Sequence, residues 1–458
     1  MCGWGRVERA PSDRMLSAGG SLRGAPGTLV QDFLIVLSKI FQIADQMIFQ
    51  SLFGLVFLLF LGWLASEKRS AIDWRVPIVG LALQFLLAFM LIELPPLQEF
   101  FLFLNRMLSA LLEATQAGTS LVFGFIGGGD LPYREEPGKS SFILAFQSLP
   151  IILVMSALSA LLFHWRVLPW VVKLFSLLLR KTLGVGGALG LGASANIFIG
   201  MVEAPLLVRP YLSRLSRAEL FALMTCGMAT VAGTVMVLYA SILSPVLPNA
   251  MGHILIASLI SAPAAIMVAR IMMPETGSGT EGELVMAEPA ISAMDAITKG
   301  TLDGLRLLLD IVAILLVFVA LVALINQILA GLGSPSFQEL LGFVMAPVAW
   351  AMGIPWEEAR SAGMLLGTKT VLNEFLAYLE MSRLPDGALS ERSTLIMTYA
   401  LCGFANFGSL GITIAGMGAM APDRYREIVG LGMKSIIAGT LATCLTGTMV
   451  GIVTLIGG

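Results

Sequence analysis

Long apolar runs recur along the chain, separated by short polar or basic stretches. They lie at 47–66, 76–93, 141–163, 219–243, 252–273, 305–328, 394–416 and 428–456. A helix needs about 20 residues to cross the hydrocarbon core of a bilayer, so the pattern predicts about eight transmembrane helices. Residues 96–126 and 167–186 mix charged with apolar positions and predict helices lying in the membrane interface. So does the stretch 29–45, which Asp32, Lys39 and Asp45 interrupt. Residues 187–208 and 359–380 are apolar but rich in small residues, and each carries a glutamate, Glu203 or Glu374. They predict re-entrant hairpins rather than full crossings.

The chain therefore divides into five parts. Residues 1–45 form a leader and amphipathic stretch, and 46–140 hold the first spans and an interfacial helix. Residues 141–273 make a first repeat with hairpin 1, and 274–300 are a polar linker (Pro274-Glu275-Thr276-Gly277 onward). Residues 301–458 make a second repeat with hairpin 2. Residues 1–28 lack the continuous apolar core of a signal peptide and read as a disordered leader, with Met15 a second candidate start.

Basic residues set the orientation. Lys68, Arg69 and Arg75 share a side with Arg166, Lys173, Arg180 and Lys181 if the chain makes eight crossings. Arg209, Arg214, Arg217, Arg424 and Arg426 fall on that side too, while 244–251 and 329–336 carry no Lys or Arg. The basic side is cytoplasmic, which puts both termini outside. Arg106, Arg134 and Lys139, in the long segment 94–140, are a mild counter-signal.

Composition agrees with a polytopic membrane protein. Of 458 residues, 57% are hydrophobic and 13% charged, with 28 Lys+Arg against 30 Asp+Glu. Soluble domains carry about 25% charge, and the mean hydropathy here is +0.87. Disorder, a nucleic-acid-binding module and a secreted disulfide scaffold are all excluded. Cys2, Cys226, Cys402 and Cys444 are far apart, and His164 and His253 are isolated. No structural metal site or catalytic motif of the HExxH or GxSxG kind is present, so the chain is not read as an enzyme.

The two halves echo each other. Gly200-Met201-Val202-Glu203 precedes a span containing Cys226-Gly227, and Asn373-Glu374-Phe375 precedes one containing Cys402-Gly403. By the crossing count the two small-residue segments approach from opposite sides, as in the inverted repeats of secondary transporters. Ionisable groups inside a membrane are costly and usually functional. Glu203, just before Ala204-Pro205, lies where a hairpin opens; the alternative is a carboxylate that neutralises helix ends. Glu374 suits hydrogen bonds from substrate hydroxyls, unless it pairs with nearby Lys369. Asn196 and Thr230 offer oxygens to a hard monovalent cation, or simply link helices. Asn406 and Ser409, three apart, share a helix face.

The run Ala193-Ser194-Ala195-Asn196-Ile197-Phe198-Ile199-Gly200 with Glu203-Ala204-Pro205-Leu206 forms one motif. Asn373-Glu374-Phe375-Leu376-Ala377-Tyr378 and Gly403-Phe404-Ala405-Asn406-Phe407-Gly408-Ser409 form two more. Together they resemble the concentrative nucleoside transporters, and the likeness covers nearly everything from about residue 50 to 457. The resemblance implies a sodium-coupled nucleoside symporter with an eight-span bacterial core in the cytoplasmic membrane, homotrimeric, using elevator-type alternating access. It implies sodium ligands at Asn196, Thr230 and the carbonyls of Ile199, Thr230 and Val231, with Thr230 where the family usually has Ser. Glu374, Asn406 and Ser409 would meet the ribose. Phe404 and Val235 would pack near the base, with Glu203 acting on the base side. One departure stands out. Where the family usually reads Gly-Gln-Thr-Glu, this chain has Met201 and Val202, which cannot hydrogen-bond a nucleobase. Proton coupling through Glu203, and a solute other than an ordinary nucleoside, are the alternatives. The expected partners are a nucleoside-like solute and the lipid bilayer, with no nucleic acid and no cofactor beyond the coupling ion.

Overall fold

The computed structural model describes residues 47–133, 141–201, 203–277, 279–281 and 290–457. The leader and amphipathic stretch 1–45, Val202 and the middle of the polar linker lie outside the described residues. The described secondary structure is helical. Seven helices, or up to eight if a bent pair counts as one, are long and apolar enough to cross a membrane.

The first spans are α1 (Met47–Leu64) and α2 (Arg75–Glu93), followed by the amphipathic α3 (Pro95–Phe123). Before the linker come α4 (Ile151–His164), α5 (Val167–Leu183), α6 (Gly187–Asn196), α7 (Glu203–Leu207), α8 (Arg217–Ala229), α9 (Gly233–Leu243) and α10 (Ala250–Met272). After it come α11 (Ala293–Gly331), α12 (Phe337–Ala351), α13 (Trp356–Val371), α14 (Glu374–Met381), α15 (Glu391–Leu401), α16 (Phe407–Met420) and α17 (Tyr425–Gly457).

Local chemistry sets the helix starts. Ser216 and Glu219 form a reciprocal capping box at α8, and Ser336 and Glu339 form one at α12. Each satisfies backbone donors that an open helix end leaves orphaned. Ser292 caps α11 by accepting from Asp295 N, so this helix starts well before residue 305 and takes up the last part of the expected linker. The expected span 394–416 is a second departure. It is two helices, α15 and α16, separated at Cys402–Asn406, because Asn406 caps a new helix there and Gly403 has no room for a side chain. A Cβ on Gly403 would lie 2.8 Å from the Met228 carbonyl oxygen and 3.0 Å from the Ala229 carbonyl carbon.

Burial separates a core from a periphery. The most apolar windows of α10, α17 and the α8–α9 span are each 89% buried, and α10 packs on α2, α8 and α17. The most apolar window of α11 is only 11% buried although its hydropathy is the highest of the spans. A helix that is hydrophobic all round and open on most sides suits lipid or another subunit.

Candidate functional site

Two broken helices meet at the centre of the fold. Between α8 and α9, Thr230 and Ala232 are extended (φ −118°, ψ 167° and φ −70°, ψ 142°), so the helical hydrogen-bond ladder stops. The turn between α6 and α7 docks there, with Gly233 N donating to the Phe198 carbonyl at 2.9 Å. In that turn Gly200 takes φ +124° and lies where a Cβ would be 2.8 Å from a Glu203 carboxylate oxygen. Glycine alone adopts such a conformation readily.

At the first break, oxygens gather. Thr230 Oγ1 donates to the carbonyls of Cys226 (2.8 Å) and Asn196 (3.2 Å). Asn196 Nδ2 donates to the Gly192 carbonyl at 3.1 Å, while Asn196 Oδ1 is buried and has no donor. The hydroxyl of buried Ser258, on α10, lies 3.5 Å from the Ile197 carbonyl oxygen and 3.4 Å from that of Val231. Of the four residues named as sodium ligands, Asn196, Thr230 and Val231 thus belong to one cluster. Ile199 lines the adjoining cavity. The described residues hold no group of three or more His, Cys, Asp or Glu placed to bind a metal. A cation here would be held by neutral oxygens and backbone carbonyls, a donor set that suits a monovalent hard ion better than a transition metal.

At the second break the chemistry is different. Glu374 opens α14 beside its cap Asn373, whose side chain accepts from Leu376 N at 2.9 Å. The Glu374 carboxylate accepts from Tyr239 Oη at 2.6 Å and from Asn406 Nδ2 at 2.8 Å. Asn406 turns its other side-chain atom to α16, where Oδ1 accepts from Ser409 N at 2.7 Å. Glu374, Asn406 and Ser409 are therefore assembled as one polar group. Glu374 does not pair with Lys369. The Lys369 ammonium donates instead to the Ala400 carbonyl (2.8 Å) and Thr443 Oγ1 (2.9 Å), because α13 points it at the end of α15.

A cavity of about 160 Å³ lies against the second group and the turn that carries Ile199 and Gly200. Glu374, Asn406 and Ser409 line one part of it, and Met201, Glu203, Val235 and Phe404 another. Ile311, Leu315 and Phe318 of α11 add an apolar wall. Met201 has Thr413 behind it, whose hydroxyl donates to the thioether sulfur at 3.5 Å. A second cavity of about 530 Å³ shares Ile199, Glu203 and Thr234 with the first and reaches Arg209, Lys299 and Asp303. The sequence reading missed Tyr239, Ser258 and Thr413. Each is a single hydroxyl in an apolar run, and only its contacts across the fold distinguish it.

Family models match three stretches: "Na+ dependent nucleoside transporter N-terminus" over 53–126, "Nucleoside recognition" over 145–246, and "Na+ dependent nucleoside transporter C-terminus" over 253–451. The chain is 34% identical to nucleoside permease NupC of Helicobacter pylori, covering 89% of this chain and 98% of that one. The chain belongs to the concentrative nucleoside transporter family. It is also 35% identical to the uncharacterized transporter YutK of Bacillus subtilis, over 87% of this chain and 98% of the relative. Among solved structures it resembles the transporter CNTnw in an inward-facing substrate-bound state, with TM-score 0.82, 34% identity, and coverage of 89% and 99%. A CNTnw variant in an outward-facing state matches with TM-score 0.83, 33% identity, and coverage of 90% and 98%. The protein is thus an integral membrane transporter and not an enzyme.

On the face that carries the basic loops, ion pairs tie distant elements of this transporter together. Glu67 meets Lys434 and Arg217, Arg217 also meets Glu427, and Glu427 meets Arg424. The Lys434 ammonium beside Glu67 holds its carboxyl below the usual glutamate range of 4.5, against a smaller opposing effect of burial. Arg424 also donates to the carbonyls of Leu212 and Leu215, which precede α8.

Proposed function

We propose that the protein is a sodium-driven symporter that imports nucleosides or related ribosyl solutes. The observation that carries this reading is Asn196 Oδ1, a buried oxygen without a donor beside a broken helix. Buried polar atoms are nearly always satisfied, and a bound cation would complete this one. Asn196, Thr230 and the carbonyls of Ile199 and Val231 are the ligands in this reading. Glu374, Asn406 and Ser409 take the ribose hydroxyls, and Phe404, Val235, Met201 and Glu203 face the base; Val202, outside the described residues, is assigned to the base side from the sequence alone.

The ion orders the first hairpin and the substrate then joins the two hairpins. The assembly moves across the remaining helices in an elevator motion. Coupling requires that the ion favour the substrate-competent state. The larger cavity, running from Glu203 toward Arg209 and Lys299 on the basic side, supports release to the cytoplasm. Exposed α11 offers an apolar face for assembly as a homotrimer, and in this reading the protein sits in a bacterial inner membrane with both termini periplasmic. The five-part division of the chain goes with this reading.

Uptake into proteoliposomes tests it. An inward sodium gradient should drive accumulation, and Asn196→Ala should abolish the sodium dependence while the protein still folds. Flux indifferent to sodium and proton gradients alike would refute symport. Proton coupling through Glu203 is the second reading, because Glu203 lines both cavities. The apolar Met201 favours a base held by packing, or a different hydroxylated solute. A thermal-shift screen of nucleosides with and without sodium separates these.

A further inference from the structure

Lys369 has no part in the mechanism above, yet it is fully buried. An ammonium removed from water is costly unless its donors are met. Here two of them are, by the Ala400 carbonyl and the Thr443 hydroxyl. Ala400 lies in the last turn of α15, where helical carbonyls lack amide partners and carry the negative end of the helix dipole.

The first break has a similar set of acceptors around a different centre. Carbonyls and a threonine hydroxyl gather there too, and no Lys or Arg among the described residues donates to them. In both halves a half-helix ends in the membrane and presents oxygens. In one half the cation is part of the chain.

We infer that Lys369 is a tethered cation, doing at the second break what a dissociable monovalent ion does at the first. It holds the end of α15, so the segment that leads to Asn406 keeps its geometry without a second ion. The inference rests on the proposed ion site at Asn196 and Thr230. It makes Lys369 a positioning residue and limits the protein to one dissociable cation per substrate.

The test compares uptake by wild-type protein, Lys369→Ser and Lys369→Met in proteoliposomes, with sodium varied and the sodium-to-substrate ratio measured. The wild type should show a Hill coefficient of about 1 for sodium and move one sodium per substrate. Lys369→Ser leaves carbonyl and hydroxyl oxygens available to a second sodium, so its Hill coefficient should rise to about 2. Lys369→Met supplies no ligand, so its substrate affinity should fall at every sodium concentration without any steepening. A purely structural lysine would not change the ion count. A sodium-dependent wild type together with an unchanged sodium curve in Lys369→Ser overturns the inference alone. Sodium-independent flux in the wild type overturns the ion reading and the inference with it. If neither variant folds, the wild-type ratio decides: one sodium per substrate supports the tethered cation, and two overturns it.

Discussion

The two broken helices share a backbone plan but not a chemistry. The break at Thr230–Ala232 is surrounded by neutral oxygens, one of them without a donor. The break at Cys402–Asn406 is flanked by a carboxylate, an amide and an ammonium, all hydrogen-bonded. An interrupted helix supplies partial charges wherever it occurs. The side chains packed against it determine whether the gap receives a free ion or a polar solute. In the proposed reading, one chain thus carries two sites of opposite character, one at each break.

Several substitutions probe that contrast. The largest effect is expected from Glu374→Gln, which removes the charge that Tyr239 and Asn406 both address. Hydrogen bonds to charged groups are worth about 1.5–3 kcal/mol, so substrate affinity in a binding assay should fall by about 10- to 100-fold. Sodium dependence should persist, and its loss would mean that the two breaks are not separate in role. Asn196→Ala is the reciprocal change. Substrate affinity in saturating sodium should drop by about tenfold, and flux should no longer respond to sodium. Tyr239→Phe removes one neutral donor and leaves the Asn406 bond, with an expected loss of about 1 kcal/mol in binding. Met201→Gln sharpens the comparison differently, since it should alter which nucleosides give a thermal shift while leaving the sodium response intact.

The smallest effect concerns the ion pairs on the basic face. The Glu67 carboxyl is depressed in the folded protein. Its contribution to stability is therefore present above the ordinary glutamate pKa and is lost as pH falls through the lower folded value. Exposed pairs are worth no more than about 1 kcal/mol. Glu67→Gln should lower the melting temperature slightly near neutral pH, and the difference from wild type should vanish in acid.

The spans were legible because apolar runs of this length have few other uses. Glu203 and Glu374 were legible because charge is scarce away from the loops. The inverted-repeat plan implied interrupted helices, but the place of the second break was not legible, since 394–416 reads as one apolar run and the steric demand on Gly403 comes from Met228 and Ala229, far away in sequence. Tyr239 was hidden for a similar reason. Its role depends on a carboxylate 135 positions later, and nothing in its own run announces that contact. Lys369 was visible as a charge, but its partner was not, because a backbone carbonyl leaves no mark in the sequence.

The contact at Gly403 has a mechanical consequence. It sets the backbone of one interrupted helix against the backbone of the other, with the Thr443 methyl group packed beside them. Packed interiors resist compression, so the contact acts as a rigid strut. Any movement of Met228 and Ala229 that accompanies ordering at Thr230 must push on the strand of chain that carries Phe404 and Asn406. In the proposed mechanism, occupancy of one site would then be sensed at the other as displacement, over the width of a single glycine.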